Sequence, residues 1–138
     1  MSGNQTQMAA LWKQTALLTF ATAKQLRDRN DYRSCVSRAY YAAYQAVTAV
    51  CIAHGDAVNF PPGRNNPSHE QLPDLIRTNS DLTMNTRRIL RKILRELRHL
   101  REDADYRVGR TVNAQSVKTA LLLTSTLFER LEIEDGNN

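Results

Sequence analysis

The chain has 138 residues, 41% apolar and 24% charged, with only 5 glycines and 4 prolines. That is the composition of one folded domain large enough to bury a core, and it excludes a disordered, collagen-like or low-complexity chain. A net charge of +5 admits a nucleic-acid or other polyanionic partner.

No apolar run approaches the ~18–20 residues that a membrane span needs, so no membrane role is expected. The first residues, MSGNQTQMAALWKQ, place no basic region ahead of an apolar block, so no secretory signal is expected. Cys35 and Cys51 fit no zinc or redox spacing. They read as thiols in a reducing cytoplasm, at least one of them buried.

The apolar periodicity predicts five helices and no strand, an all-α up-and-down bundle of four to five helices in a single domain over 1–138. The first helix is expected from Gln5 to Arg29, carrying Leu11, Trp12, Leu18, Phe20 and Leu26. Arg-Asp-Arg-Asn-Asp at 27–31 breaks it, and Asn30 or Asp31 caps a second helix that runs to His54. Residues 55–67, GDAVNFPPGRNNP, form the one long loop, flexible by composition, because prolines 61, 62 and 67 forbid a regular helix. Ser68 and Gln71 form a capping box that opens a short third helix toward Arg77. The fourth helix spans Leu82 to Val108, with Gly109 ending it. Asn113 caps a fifth helix, whose Val117, Ala120, Leu121, Thr124, Leu127, Phe128 and Leu131 repeat at helical spacing. An acidic tail, 132–138, closes the chain.

The fourth helix carries the most information. With Leu97 at the centre of a helical wheel, Ile89, Leu90, Ile93, Leu94, Leu100 and Ala104 form one apolar arc. Arg101 falls inside that arc, at about 40°, and Asp105 lies one turn on at its edge, about 80°. A guanidinium on an apolar face is costly unless it is paired or faces a groove. Two readings follow: a buried Arg101–Asp105 bridge, or an arginine held at a cleft for phosphate. Arg87, Arg91, Arg95 and Arg98 form a basic stripe beside the arc, either a solvated face or a phosphate-tracking surface. Between Arg77 and Arg110 there are ten Arg or Lys against five Asp or Glu, the basic pole of the chain.

The second helix holds Tyr32, Tyr40, Tyr41 and Tyr44. Tyr40 and Tyr44 fall with Val36, Ala43, Val47 and Cys51 and read as core, whereas Tyr41 sits on the flank beside Ser37. Ala42, Ala46, Ala49 and Ala53 smooth a second side, which is either central in the bundle or packed closely on another helix, a dimer seam being one way to cover it. His54, His69 and His99 are too scattered for a metal site. No His-x3-His, HExxH, Gly-rich phosphate loop or Gly-x-Ser-x-Gly is present, so no metal and no cofactor is expected.

Two stretches together resemble the HEPN superfamily of small prokaryotic helical proteins. Ser37-Arg38-Ala39-Tyr40-Tyr41-Ala42-Ala43-Tyr44 is similar to its S-[RK]-A-Y-Y-A-x-[FY] helix, and Arg101-Glu102-Asp103-Ala104-Asp105-Tyr106 to its R-x-x-A-D-Y helix end. His69 matches a histidine often found after the long loop, and the resemblance covers roughly residues 10–130. It implies a bundle of four or five helices, usually a homodimer, that works in toxin–antitoxin, phage-defence or CRISPR-linked systems, often beside a nucleotidyltransferase partner. Ribonuclease members carry R-x4-6-H and cut RNA without metal. Here no histidine stands at that spacing from Arg101: Asp105 falls one residue short of it, Tyr106 takes its first position, and Arg95-x3-His99 is too short. An aspartate does not shuttle protons near neutral pH as a histidine does.

The expected function is therefore an RNA- or nucleotide-binding component of such a system. Arg101 would contact phosphate, Asp105 would orient it, Tyr106 and Tyr41 would line the cleft, and Arg87, Arg91, Arg95 and Arg98 would track the backbone. Metal-independent cleavage, if present, would draw on Arg101 with Tyr106, or with His69 from a neighbouring helix. The alternative is a non-catalytic dimerisation or adaptor module docking on a larger complex or a nucleotidyltransferase, with Arg101–Asp105 purely structural.

Overall fold

A computed structural model describes residues 3–55 and 68–133, so the centre of the expected loop and residues 134–138 of the expected tail lie outside the described residues. Five helices follow in chain order: α1 (Gly3–Asp28), α2 (Tyr32–His54), α3 (Leu72–Arg77), α4 (Met84–Tyr106) and α5 (Ala114–Arg130). No strand occurs among the described residues.

Helix α1 buries Ala16, Phe20 and Ala23, one narrow face at helical spacing. The chain reverses at Asn30, whose φ of 61° is the left-handed conformation that asparagine tolerates better than most residues. Asp31 then caps α2 by accepting from the Ser34 N–H at 3.4 Å.

Helix α2 is the hub, packed against all four other helices, most extensively against α1. Its small side is the reason. Ala39, Ala42, Ala43, Ala46 and Ala49 are buried and let neighbouring backbones approach, while Ala53 is exposed. The alanine-rich side is thus covered within one chain, and a dimer seam is not needed to explain it. Gly55 ends α2 at φ 99°, a left-handed position where glycine carries no Cβ penalty.

The reciprocal Ser68–Gln71 bonds are present, with Ser68 Oγ accepting from the Gln71 N–H at 3.0 Å and Gln71 Oε1 from the Ser68 N–H at 3.4 Å, but they close a turn ahead of α3, whose own N-cap is Gln71 without a side-chain cap bond. Helix α3 inserts Leu72, Leu75 and Ile76 into the core and lies on α4 and α2. Helix α4 buries Leu90, Ile93, Leu94, Leu97, Arg101 and Ala104, with Ile89 and Leu100 half-buried at the edges of the same arc.

Helix α4 is shorter at both ends than Leu82 to Val108. Thr83 caps it by accepting from the Thr86 N–H at 3.1 Å. At the other end Gly109 is not the terminator; the helix stops at Tyr106, with Arg107 at the cap. Arg33 of α2 takes over there. Its guanidinium donates to the carbonyls of Asp103 (3.0 Å), Ala104 (3.0 Å) and Val108 (3.4 Å), and to that of Arg110. A cation at a helix C-terminus meets both the unpaired carbonyls and the negative end of the dipole.

Helix α5 opens on a capping box between Asn113 and Ser116. The Thr124 hydroxyl donates to Ala39 O at 3.1 Å and Ala120 O at 3.0 Å, so this buried polar group is satisfied while tying α5 to α2. Phe20 and Phe128 meet edge-on at 5.0 Å, closing the core between α1 and α5. The expected tail does not start free of the fold: Ile133 is buried on the core.

Candidate anion-binding cleft

One stripe of α2 builds the site. Arg33, Ser37, Tyr41 and, a step round, Tyr40 and Tyr44 recur every three or four residues and engage α4 or, for Tyr44, His69 in the turn before α3. Arg33 holds the α4 terminus, as above. The Ser37 hydroxyl donates to Asp105 Oδ2 at 3.1 Å. Tyr41 OH accepts from Arg101 Nη1 at 3.2 Å.

Arg101 is only 7% exposed. Nη1 also donates to Tyr106 OH at 3.5 Å and lies 3.6 Å from Asp105 Oδ2. The guanidinium carbon stands 5.2, 5.6 and 5.4 Å from the rings of Tyr40, Tyr41 and Tyr106, a cage of three aromatic faces. Burial opposes its charge, but the hydrogen bond with Tyr106 and the surrounding phenols outweigh it and carry the Arg101 pKa upward, so it stays a cation. Its Nε is buried without a hydrogen-bond partner. The Asp105 side chain is 27% exposed, so the ion pair is wet on the carboxylate side and dry on the guanidinium side.

Tyr40 is buried, and its hydroxyl is hydrogen-bonded with His69 Nδ1. Burial pushes the Tyr40 phenol well above its ordinary range, only partly offset by Arg98 and Arg101. The His69 ring stacks on Tyr40 and lies tilted at 4.8 Å from Tyr44, with Tyr41 edge-on.

From this cluster a cleft of about 620 Å³ opens between α3 and α4. Its floor is Tyr40, His69, Leu72, Pro73 and Leu94; its wall is Arg88, Arg91, Lys92, Arg95 and Arg98. Among the described residues no carboxylate lines it. Arg98 of the wall pairs with Glu70 at 3.1 Å and has Glu102 3.4 Å from its Nε. The hydrogen bonds at Glu70, then the Arg98 charge, hold that carboxyl below the usual range.

Arg101, Asp105, Tyr106 and Tyr41 therefore come together, and His69 joins them through Tyr40 and Tyr41. Arg91, Arg95 and Arg98 line the cleft. Arg87 does not; it donates to Leu82 O at 2.9 Å and Arg77 O at 3.1 Å, and ties the turn before α4. Arg88 and Lys92 take its place in the wall. They lie opposite the apolar arc, and only the position of α3 shows that the cleft reaches round to them. Ser37, Arg33 and Arg38, whose guanidinium sits 4.9 Å over Tyr41, were also missed. Ser37 and Arg38, four and three residues before Tyr41, and Arg33, about two turns before it, share its side of the helix, which was the available signal. His54 pairs with Asp81 at 2.8 Å, away from this site. Among the described residues no cluster of three His, Cys, Asp or Glu could hold a metal ion.

The HEPN domain model matches residues 9–134, which takes in α2 to α5 entirely and most of α1. The chain belongs to the HEPN family. Comparison with curated proteins and with solved structures found no match. In this HEPN domain the two stretches that carry the resemblance meet in space: Ser37 and Tyr41 of the first touch Asp105 and Arg101 of the second. No helix among the described residues is long and apolar enough to cross a membrane.

Proposed function

We propose that this HEPN domain binds RNA or a nucleotide by its phosphates in the cleft between α3 and α4, as a component of a prokaryotic toxin–antitoxin or phage-defence system. One observation carries the reading: among the described residues, five cations and no carboxylate line a single cleft. An ordinary solvated face interleaves both signs, because like charges side by side repel. A wall of one sign with an apolar floor focuses the field on an anion. Among the described residues the Arg91 Nε has no hydrogen-bond partner, whereas the Arg98 Nε already lies 3.4 Å from Glu102 Oε1.

The family habit supports a homodimer and a nucleotidyltransferase or other defence-system partner. Cys35 and Cys51 are both buried as thiols, which fits a cytoplasmic setting. The residues support binding over cleavage, because Tyr106, Arg107 and Val108 stand where a ribonuclease histidine would fall and the His69 Nδ1 is occupied by Tyr40. The adaptor reading is favoured by one feature, the burial of Arg101 within its own tyrosines. It requires that no RNA binds at low salt.

The test is the affinity for single-stranded RNA as a function of salt. Log affinity should fall linearly with log salt, and changing Arg91, Arg95 and Arg98 to Gln should flatten the slope by about 2, at roughly 0.7 per lost phosphate contact. The triple variant should unfold almost as the parent does, because exposed charges contribute little. An unchanged slope in a variant that still binds would assign the wall to solvation.

A further inference from the structure

Arg98 stands apart from the rest of the wall. Among the described residues it is the one lining cation that an acid holds: its Nη2 donates to Glu70 Oε1 at 3.1 Å, and its Nε lies 3.4 Å from Glu102 Oε1. Nε and Nη2 form one edge of the guanidinium, an edge that a phosphate can grip with two oxygens at once. Two carboxylates share that edge here, and they come from different elements. Glu102 lies one turn along α4 and has a second cation, Arg107 Nη2, at 3.6 Å. Glu70 comes from the turn before α3, next to His69 of the cleft floor, so its bond to Arg98 joins that turn to α4. The Glu70 side chain is 78% exposed and that of Arg98 35%. A pair so exposed opens at little cost, and the released carboxylate passes into water.

We propose that Glu70 is an autoinhibitory latch on the cleft: its carboxylate holds the place on the Arg98 fork that a ligand phosphate takes, and the phosphate reaches Arg98 only by displacing it. This rests on the phosphate-binding reading of the cleft and adds a built-in competitor to it. A carboxylate and a phosphodiester offer a guanidinium the same thing, one negative charge on paired oxygens, and sharing the fork would press two anions together. The competitor is tethered a few bonds away, so it is always at hand, whereas a ligand arrives by diffusion. The hydrogen bonds at Glu70, then the Arg98 charge, keep its carboxyl below the usual range, so the latch stays charged at neutral pH.

A cycle of Glu70→Gln and Arg98→Gln in the full chain, read by the binding of a single-stranded oligouridylate of about ten nucleotides, tests the latch. Glu70→Gln should bind about two- to fivefold more tightly than the parent, the range that an exposed pair allows. In the Arg98→Gln background the same change should alter affinity by less than about 1.5-fold, because the fork it blocks is gone. Asp74→Asn, which removes an exposed acid of α3 paired with Arg77, should also stay within about 1.5-fold of the parent. A gain from Glu70→Gln that is equal with and without Arg98, or matched by Asp74→Asn, would show that net charge alone had changed, and overturns the latch; so does no gain at all. Carbon NMR of the Glu70 carboxyl tests the pair without RNA: its titration should lie below the usual carboxylate range and move upward in Arg98→Gln, and no movement overturns the latch. If neither the parent nor Glu70→Gln binds the oligouridylate, the phosphate reading falls and the latch with it. If the parent binds and the cycle is flat, the latch alone falls.

Discussion

Replacing Arg101 with Ala asks how much of the fold rests on one buried cation. Three aromatic faces lie within 5.6 Å of the guanidinium, at roughly 0.5–1 kcal/mol each. Its hydrogen bonds to Tyr41 and Tyr106 are long, at 3.2 and 3.5 Å, and add about 0.5 kcal/mol each. Asp105 adds no stranded-charge penalty, because its side chain is 27% exposed and keeps the Ser37 hydroxyl. The sum is a loss of about 3 kcal/mol, which corresponds to a Tm lower by about 10–15 °C for a chain of this size. Urea unfolding followed by far-UV circular dichroism measures it. Arg101→Lys, which keeps the charge and loses the planar fork, should lose about half as much. A cycle with Asp105→Asn should give a coupling below about 1 kcal/mol, since the carboxylate is wet. A loss under about 1 kcal/mol for Arg101→Ala would show that the tyrosine cage holds the bundle together without its cation. A coupling above about 3 kcal/mol would move the weight from the tyrosines to the ion pair.

Alkaline pH should weaken the fold through Cys35. Burial is the main cause that raises its thiol from 9.0 to about 11, so the folded state holds a proton that the unfolded chain releases. This contribution is intact below about pH 9 and is lost as pH rises toward about 11, and Cys35→Ala should flatten that part of the stability–pH curve. An equally steep loss in Cys35→Ala would point to other groups, the buried Tyr40 phenol first. Asn113→Ala removes the acceptor for the Ser116 N–H at 3.0 Å and should cost about 1 kcal/mol in thermal unfolding; no loss would show that water replaces the cap.

Most of the fold was legible in the sequence because its signals are local. The capping residues Asp31, Ser68 and Asn113 act within three residues of themselves, and each makes its expected bond. The apolar arc of α4 is a property of one helix, so the wheel found it. The end of α4 was placed two residues late because its terminator is Arg33, which lies 70 residues away from Asp103 and is joined to it only by packing. The same limit applied to the site. Arg101 stood out locally as a charge on an apolar face. That its main partners are three tyrosines rather than Asp105 alone depends on α2 lying against α4.

The sequence by itself determined the helices, their caps, the buried stripes and the basic pole, since each is set by neighbours within a turn or two. Only the tertiary structure decided which charges share a cleft. Arg87 leaves the wall because backbone carbonyls of Leu82 and Arg77 lie within its reach, and Arg88 and Lys92 enter it because α3 packs beside them. It also decided that His69 meets Tyr40 across 29 residues of chain. Helical spacing carries information along one rod, whereas a site between rods is fixed by how their faces pack.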